Sequence, residues 1–279
     1  MTATALCCPV CRLDLLRAER SYRCSAGHSF DIARQGYVNL LLSSQRPSSA
    51  PGDSAEMLAD RRAFLDADHY APLRARVRER LDTLQTQDDT QRVLDLGCGE
   101  GWYTAAFTAP RREMFALDIA KPALALAARR SADVTWCVGT SRALPFHDRS
   151  LDVVLNIFCR PHAGETQRVL RSDGRLLLVG PGNDHLLELR EQLYDHVQSE
   201  ESHTLAQLQA EGFTLAHSET LAFRFELQGA AISQLARMTP HYWRATPARR
   251  EQLGALQRLE LRAEFVLQEL APPAGESSE

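Results

Sequence analysis

Lysine is almost missing from this chain: Lys121 stands alone among 32 Lys and Arg residues, and every other one is arginine. The arginine fork suits phosphate better than an ammonium does, although a compositional bias that also enriches alanine explains the preference equally well. Long apolar runs are missing too. No stretch reaches the roughly 18 residues of a membrane-spanning helix, so no membrane partner is expected. The first residues run straight into Cys7 and Cys8 without the basic segment and apolar stretch of a secretory signal, and a cytoplasmic place is expected. An excess of positive charge is also absent: the net charge is -4, which argues against a generally basic nucleic-acid binder. The balance is uneven, because residues 1–50 hold Arg12, Arg17, Arg20, Arg23, Arg34 and Arg46 against only Asp14, Glu19 and Asp31. What the chain has is ordinary globular material, 44% hydrophobic and 24% charged over 279 residues. That suits one large domain and a small accessory one.

Cysteine is concentrated at one end. Four of the seven lie in the first 24 residues, and an odd, clustered set points to metal ligation rather than a disulfide framework. Cys8-Pro-Val-Cys11 forms one knuckle. Cys24-Ser-Ala-Gly-His28 follows after twelve residues. Cys8, Cys11, Cys24 and His28 can complete a tetrahedron around a structural zinc ion with no open position for catalysis. Gly27 eases the turn before His28. Cys7 could replace Cys8, but the two-residue gap to Cys11 favours Cys8. Metal binding would supply the folding energy that this polar segment lacks.

The rest divides by pattern. Residues 1–42 are expected to be the zinc-binding domain, and 43–90 a linker and helical segment whose Pro/Ser/Gly-rich start is 43–53. Residues 91–270 form an α/β domain and 271–279 a flexible tail. Strands are expected at 93–96, 114–118, 134–138, 151–158 and 175–179, with helices from about 102, at 122–130 and at 186–197. This alternation implies a mostly parallel sheet. Residues 213–220 and 222–227 read as two adjacent strands forming an antiparallel edge, and 230–238 and 247–270 read as helices.

Strand 93–96 runs into Val93-Leu-Asp-Leu-Gly97-Cys-Gly99-Glu-Gly101-Trp-Tyr-Thr104. Glycines at alternate positions let the backbone turn tightly and approach a ligand. They lie at the carboxyl end of a strand, where open parallel sheets bind ligands. A dinucleotide fingerprint fails on spacing, because position 102 is Trp. The pattern instead resembles motif I of class I (Rossmann-like) S-adenosylmethionine-dependent methyltransferases. Asp118, ending the next strand, is placed to accept from ribose hydroxyls. Gly139-Thr-Ser-Arg-Ala-Leu-Pro-Phe146 resembles the adenine-holding loop of that superfamily.

Together these features resemble the bacterial 23S rRNA (guanine-N1)-methyltransferases, a zinc ribbon followed by a class I domain. The resemblance rests on the ribbon, on Phe30-Asp-Ile-Ala-Arg-Gln-Gly-Tyr-Val-Asn-Leu40, on Pro51-Gly-Asp-Ser-Ala-Glu-Met57 and on Arg61-Arg-Ala-Phe-Leu-Asp-Ala-Asp-His-Tyr70. It continues in Cys98-Gly-Glu-Gly101, Pro181-Gly-Asn-Asp-His185-Leu and Met238-Thr-Pro240. It implies that Tyr70, Glu100, Gly101 and His185 contact S-adenosylmethionine along with Gly97, Gly99 and Asp118. It also implies a homodimer acting on a guanine in a 23S rRNA hairpin near the peptide exit tunnel, in the housekeeping branch rather than the macrolide-resistance branch. Two stretches depart from the family pattern: Asn156-Ile-Phe-Cys-Arg-Pro-His162, beside the expected target-base site, and Arg171-Ser-Asp-Gly174.

No residue declares itself as the acceptor of the guanine N1 proton. Asp53, Glu56, His69 and His162 are candidates, and Trp102, Phe158 and Trp243 could stack on a base. Two other readings use the same class I core: a small-molecule methyltransferase, which leaves the zinc ribbon unexplained, and a non-catalytic RNA-binding assembly factor, which leaves the intact glycine loop unexplained.

Overall fold

The computed structural model describes residues 4–45, 54–85, 90–197 and 203–273. The polypeptide begins with a three-stranded antiparallel ribbon, β1 (Leu16–Arg17), β2 (Ser21–Arg23) and β3 (Ser29–Asp31), followed by β4 (Val38–Asn39). Two helices follow, α1 (Ala55–Asp66) and α2 (Ala71–Thr83). The Ser54 hydroxyl accepts from Met57 N–H and caps α1. Then come β5 (Gln91–Leu96), α3 (Trp102–Ala106), β6 (Arg112–Asp118), α4 (Lys121–Ala127), β7 (Val134–Val138), β8 (Leu151–Ile157), α5 (Ala163–Val169) and β9 (Leu170–Pro181). The chain ends with α6 (Leu187–Leu193), α7 (Thr204–Ala210), β10 (Thr214–Gln228), α8 (Ala230–Arg237), α9 (Pro240–Arg244), α10 (Pro247–Gly254) and β11 (Arg258–Ala271).

The main sheet has the order β10-β11-β9-β8-β5-β6-β7-β4. Strands β4 to β9 run parallel to their neighbours, and β11 is antiparallel to both β9 and β10. The reversal of direction along the order, at β5, creates the crevice in which such sheets bind ligands.

Alternate residues of the central strands feed two buried layers. Val93, Met114 and Ala116 pack with Phe64 of α1, Leu73 and Val77 of α2 and Leu235 of α8. Leu94, Leu96, Phe115 and Leu117 pack on the opposite face with Leu6, Leu15, Val38 and Leu40 from the N-terminal segment. Strand β4 pairs with β7 (Val38 with Cys137, Asn39 with Val138) and so extends the parallel sheet, a contribution that the sequence pattern does not announce.

Two expectations are corrected at the C-terminal end. Residues 213–220 and 222–227 are not two strands: β10 runs unbroken through Leu221. Its partner comes from 247–270, expected to be helical, of which only α10 is helix while everything from Arg258 on is β11. The Leu- and Glu-rich composition favours helix, but Leu261, Ala263, Phe265 and Leu267 are all fully buried at every second position. That is strand periodicity, and burial against β9 and β10 overrides propensity.

Candidate active site and metal centre

The metal site is built by two tight turns. In the first, Arg12 N–H donates to Cys8 carbonyl (2.8 Å) with Arg12 in the left-handed region. In the second, Gly27 N–H donates to Cys24 carbonyl (3.1 Å) with Gly27 at φ +87°. The ligand atoms of Cys8, Cys11, Cys24 and His28 all lie within 4.8 Å of one another. Cys11 Sγ is 3.6 Å from Cys24 Sγ, which is 3.3 Å from His28 Nδ1. Burial pushes the Cys24 thiol up, but hydrogen bonds with His28 and Cys11 outweigh it and bring it down to about 6. Three sulfurs and an imidazole nitrogen suit tetrahedral zinc. Cys7 stands outside the cluster: it is buried, its N–H donates to Pro145 carbonyl (3.0 Å), and burial pushes its thiol up.

A cleft of about 970 Å³ opens at the carboxyl ends of β5, β6, β8 and β9, walled also by α1, α8 and β11. Tyr70, Gly97, Gly99, Glu100, Asp118 and His185 all line it. Asp118 Oδ2 accepts from Gly99 N–H and Oδ1 from Ala120 N–H, both at 2.8 Å, which fixes the carboxylate beside the glycine loop. A Cβ on Gly99 would meet only the Arg61 guanidinium, at 3.8 Å, so that side of the loop is open. A Cβ on Gly97 would stand 2.6 Å from Cys159 Sγ. Gly101 is turned away from the cleft: its Cβ would strike the Trp136 ring and Ala127. Glu100 is buried against Arg130, whose Nε lies 2.7 Å from its Oε2, and burial raises its pKa against the pull of Arg130.

Tyr70 and His185 meet on the far wall. Tyr70 Oη is 3.4 Å from His185 Nε2, and Glu264 N–H donates to His185 Nδ1 at 3.2 Å. Burial lowers the His185 pKa to about 4, so the ring is neutral. With Nδ1 accepting, the proton sits on Nε2. His185 is thereby a fixed donor toward Tyr70 and the cleft and not a proton acceptor. Burial also raises the Tyr70 phenol well above its ordinary value.

The structure adds residues that the sequence reading passed over. Asp95, inside the glycine motif itself, lines the cleft, accepts from Thr104 Oγ1 at 2.5 Å and is pushed by burial up to about 7. Tyr103, the second residue of α3, lines the cleft with a buried hydroxyl that has no partner among the described residues. Glu264 and Cys159 line it as well. Helical position could have flagged Tyr103; Glu264 gave no signal, because its segment read as helix.

The proton-acceptor candidates fall elsewhere. Glu56 is exposed on α1, His69 packs between Phe64 and Phe225, and His162 caps α5 through its ring nitrogen; none lines the cleft. Asp53 lies outside the described residues. Of the three aromatics, Trp102 lines the cleft but is only 5% exposed, with the Arg74 guanidinium over its ring, and Trp243 is exposed on α9 outside the cleft. Phe158 lines the cleft.

Comparison with known proteins agrees with this arrangement. Residues 6–49 match the family model described as RlmA, N-terminal, a zinc ribbon, and residues 93–180 match a methyltransferase domain. The chain is 35% identical over 244 residues, 86% of each chain, to the 23S rRNA (guanine(748)-N(1))-methyltransferase of Streptomyces fradiae. It is 38% identical over 265 residues, 87% of this chain and 88% of the other, to a Micromonospora griseorubida protein named provisionally as a 23S rRNA (guanine-N1)-methyltransferase. A solved structure of a provisionally assigned methyltransferase from Bacillus halodurans has a TM-score of 0.51 at 20% identity, covering 70% of this chain and 98% of that one, and shows the class I fold. With a zinc ribbon, a class I cleft and this identity over most of its length, the chain belongs to the 23S rRNA (guanine-N1)-methyltransferase family.

Proposed function

We propose that this protein transfers a methyl group from S-adenosylmethionine to N1 of a guanine in 23S rRNA. The observation that carries the reading is the extent of identity to the relatives named for that reaction, 86% of the chain, beside family models that match the ribbon at residues 6–49 and the methyltransferase core at 93–180. The hairpin near the exit tunnel and the homodimer belong to the same proposal and rest on the family resemblance, and a cytoplasmic setting goes with a ribosomal substrate.

The cleft fits the cofactor on its own features. Open space beside Gly99, the anchored Asp118 carboxylate and the unpartnered Tyr103 hydroxyl are what a polar adenosine-bearing ligand would use. Asp118 would accept from ribose hydroxyls, the backbone of Gly97 and Gly99 would border the ligand, and Tyr70, Glu100 and His185 would complete the wall. Gly101 would act behind them, by letting α3 pack against Trp136. When bound, S-adenosylmethionine supplies an electrophilic methyl group. The protein's own task is positioning and the exclusion of water. Guanine N1 lies on the pairing edge and carries a proton, so the base must be unpaired and the proton must leave as N1 takes the methyl group. Zinc, held in a closed site, supplies folding energy to the ribbon and takes no part in transfer.

The test is incubation of the purified protein and labelled S-adenosylmethionine with 23S rRNA from a strain lacking the modification, followed by primer extension. A single reverse-transcriptase stop one nucleotide before a guanine in the tunnel hairpin is the expected result. No incorporation into either free rRNA or ribosomal particles, with cofactor binding intact, would overturn the proposal.

A further inference from the structure

A guanine must lie flat and edge-on to the methyl donor, and one wall of the cleft is furnished for that. It is the wall formed by the ends of β8, β9 and β11, on the other side of β5 from Asp118. Phe158 follows a strand of buried side chains, yet it is 47% exposed. Its φ is +57°, a region that an aromatic residue occupies only when its surroundings impose it. The imposition is visible. Phe158 N–H donates to Val179 carbonyl at 2.9 Å, and the next residue, Cys159, is seated where only a glycine at 97 leaves room. The Phe265 ring flanks Phe158, with centroids 5.6 Å apart. The fold therefore holds an apolar ring out of the core and against the cleft.

The same wall carries a carboxylate. Among the described residues lining the cleft, Asp95 takes the Thr104 hydroxyl, Glu100 is paired with Arg130, and Asp118 takes the amides of Gly99 and Ala120. Glu264 is the remaining acid, 8% exposed. Residue 182 must be glycine to admit it, since a Cβ there would lie 2.6 Å from Glu264 Cγ. Its Oε2 pairs with Arg262, and among the described residues its Oε1 accepts only a long bond, 3.3 Å, from Asp184 N–H. A carboxylate oxygen has two acceptor sites, so Oε1 retains capacity toward the cleft. Guanine presents donors at N1 and N2 on its pairing edge, and flipped-out bases are read by stacking together with hydrogen bonds to that edge.

We propose that Phe158 and Glu264 form the guanine subsite, with Phe158 stacking on the base and Glu264 accepting from the N2 amino group next to the reacting N1. This rests on the reaction proposed above. Inosine, which keeps N1–H and lacks the N2 amino group, tests it without altering the protein. The wild type should methylate RNA with inosine at the target position about 10- to 100-fold less efficiently in kcat/KM than RNA with guanosine, the effect of losing a hydrogen bond to a charged group. Glu264→Gln should lose activity on guanosine RNA and shrink that ratio to a few-fold. Phe158→Leu should lower both substrates about ten-fold, as loss of a stacking platform does, and leave the ratio intact. Melting temperature and S-adenosylhomocysteine affinity, measured on both variants, separate these effects from misfolding. Equal wild-type rates on guanosine and inosine RNA would overturn the N2 contact whatever the variants do. An unchanged ratio in a folded Glu264→Gln, or full activity in Phe158→Leu, would overturn the role of that residue. A wild type that binds cofactor but methylates no guanosine RNA would overturn the rRNA reading and the subsite with it.

Discussion

At the scale of single residues, two buried groups in the cleft titrate against each other. Burial pushes Asp95 up to about 7 and His185 down to about 4. Between pH 4 and 7 the native Asp95 keeps a proton that the unfolded chain has released, so its share of the stability falls as pH rises. Over nearly the same window the unfolded chain binds a proton at His185 that the native ring refuses, so that share rises with pH. The Asp95 shift corresponds to roughly 4 kcal/mol and the His185 shift to roughly 3 kcal/mol, so the two largely offset. The urea midpoint of the wild type should therefore change little across this range on their account. Asp95→Asn, which keeps a partner for Thr104, should make stability climb with pH relative to the wild type. His185→Gln should make it fall. Parallel pH profiles for all three proteins would show that the buried pair does not titrate in this way.

At the scale of elements, the turn from β5 into α3 shows how much the sequence discloses. Its alternate glycines mark a ligand-binding loop, but the motif treats them as equivalent, and the packing does not. Gly99 borders open space and Gly101 borders Trp136 and Ala127. Both have positive φ, +55° and +79°, so an alanine at either is strained. At Gly101 the methyl group also drives into a packed ring, and overpacking of this kind costs about 1–3 kcal/mol more. Gly101→Ala should lower the melting temperature markedly, while Gly99→Ala should weaken S-adenosylmethionine binding by more than it lowers melting. Titration calorimetry and thermal melts on the pair check this, and a reversal of the order would contradict the geometry. The parallel strands β5 to β9 were legible for the same local reason as the loop, since each carries its own apolar run between turns; β4, two residues long, was not. Strand β11 was not: its residues are good helix formers, and its alternation gains meaning only when β9 and β10 stand on either side. Glu264 was hidden with it. Tyr70 and His185 were named through resemblance, and no spacing in the sequence could show that they would meet across 115 positions.

At the scale of the whole molecule, the ribbon and the methyltransferase sheet share a core. Leu6, Leu15, Val38 and Leu40 are buried with Leu94, Phe115 and Phe146. The backbone joins them too: Leu6 bridges Phe146, and β4 pairs with the β7 edge. Arg12, in the first zinc knuckle, donates to Phe146 carbonyl (3.2 Å) and Asp148 (3.1 Å), the same groups that Arg168 holds from α5. Uncovering those four apolar side chains would remove about 1.5–3 kcal/mol apiece, a total of the same order as the whole stability of a typical domain. Stripping the metal should therefore do more than melt a small appendage. With a strong chelator, circular dichroism should show one cooperative loss of structure, shifted to lower temperature, and S-adenosylmethionine binding should fail together with it, even though no ribbon residue among the described ones lines the cleft. Two separated transitions, with cofactor binding surviving the first, would mean that the sheet stands without its zinc-held face and that the shared core is dispensable.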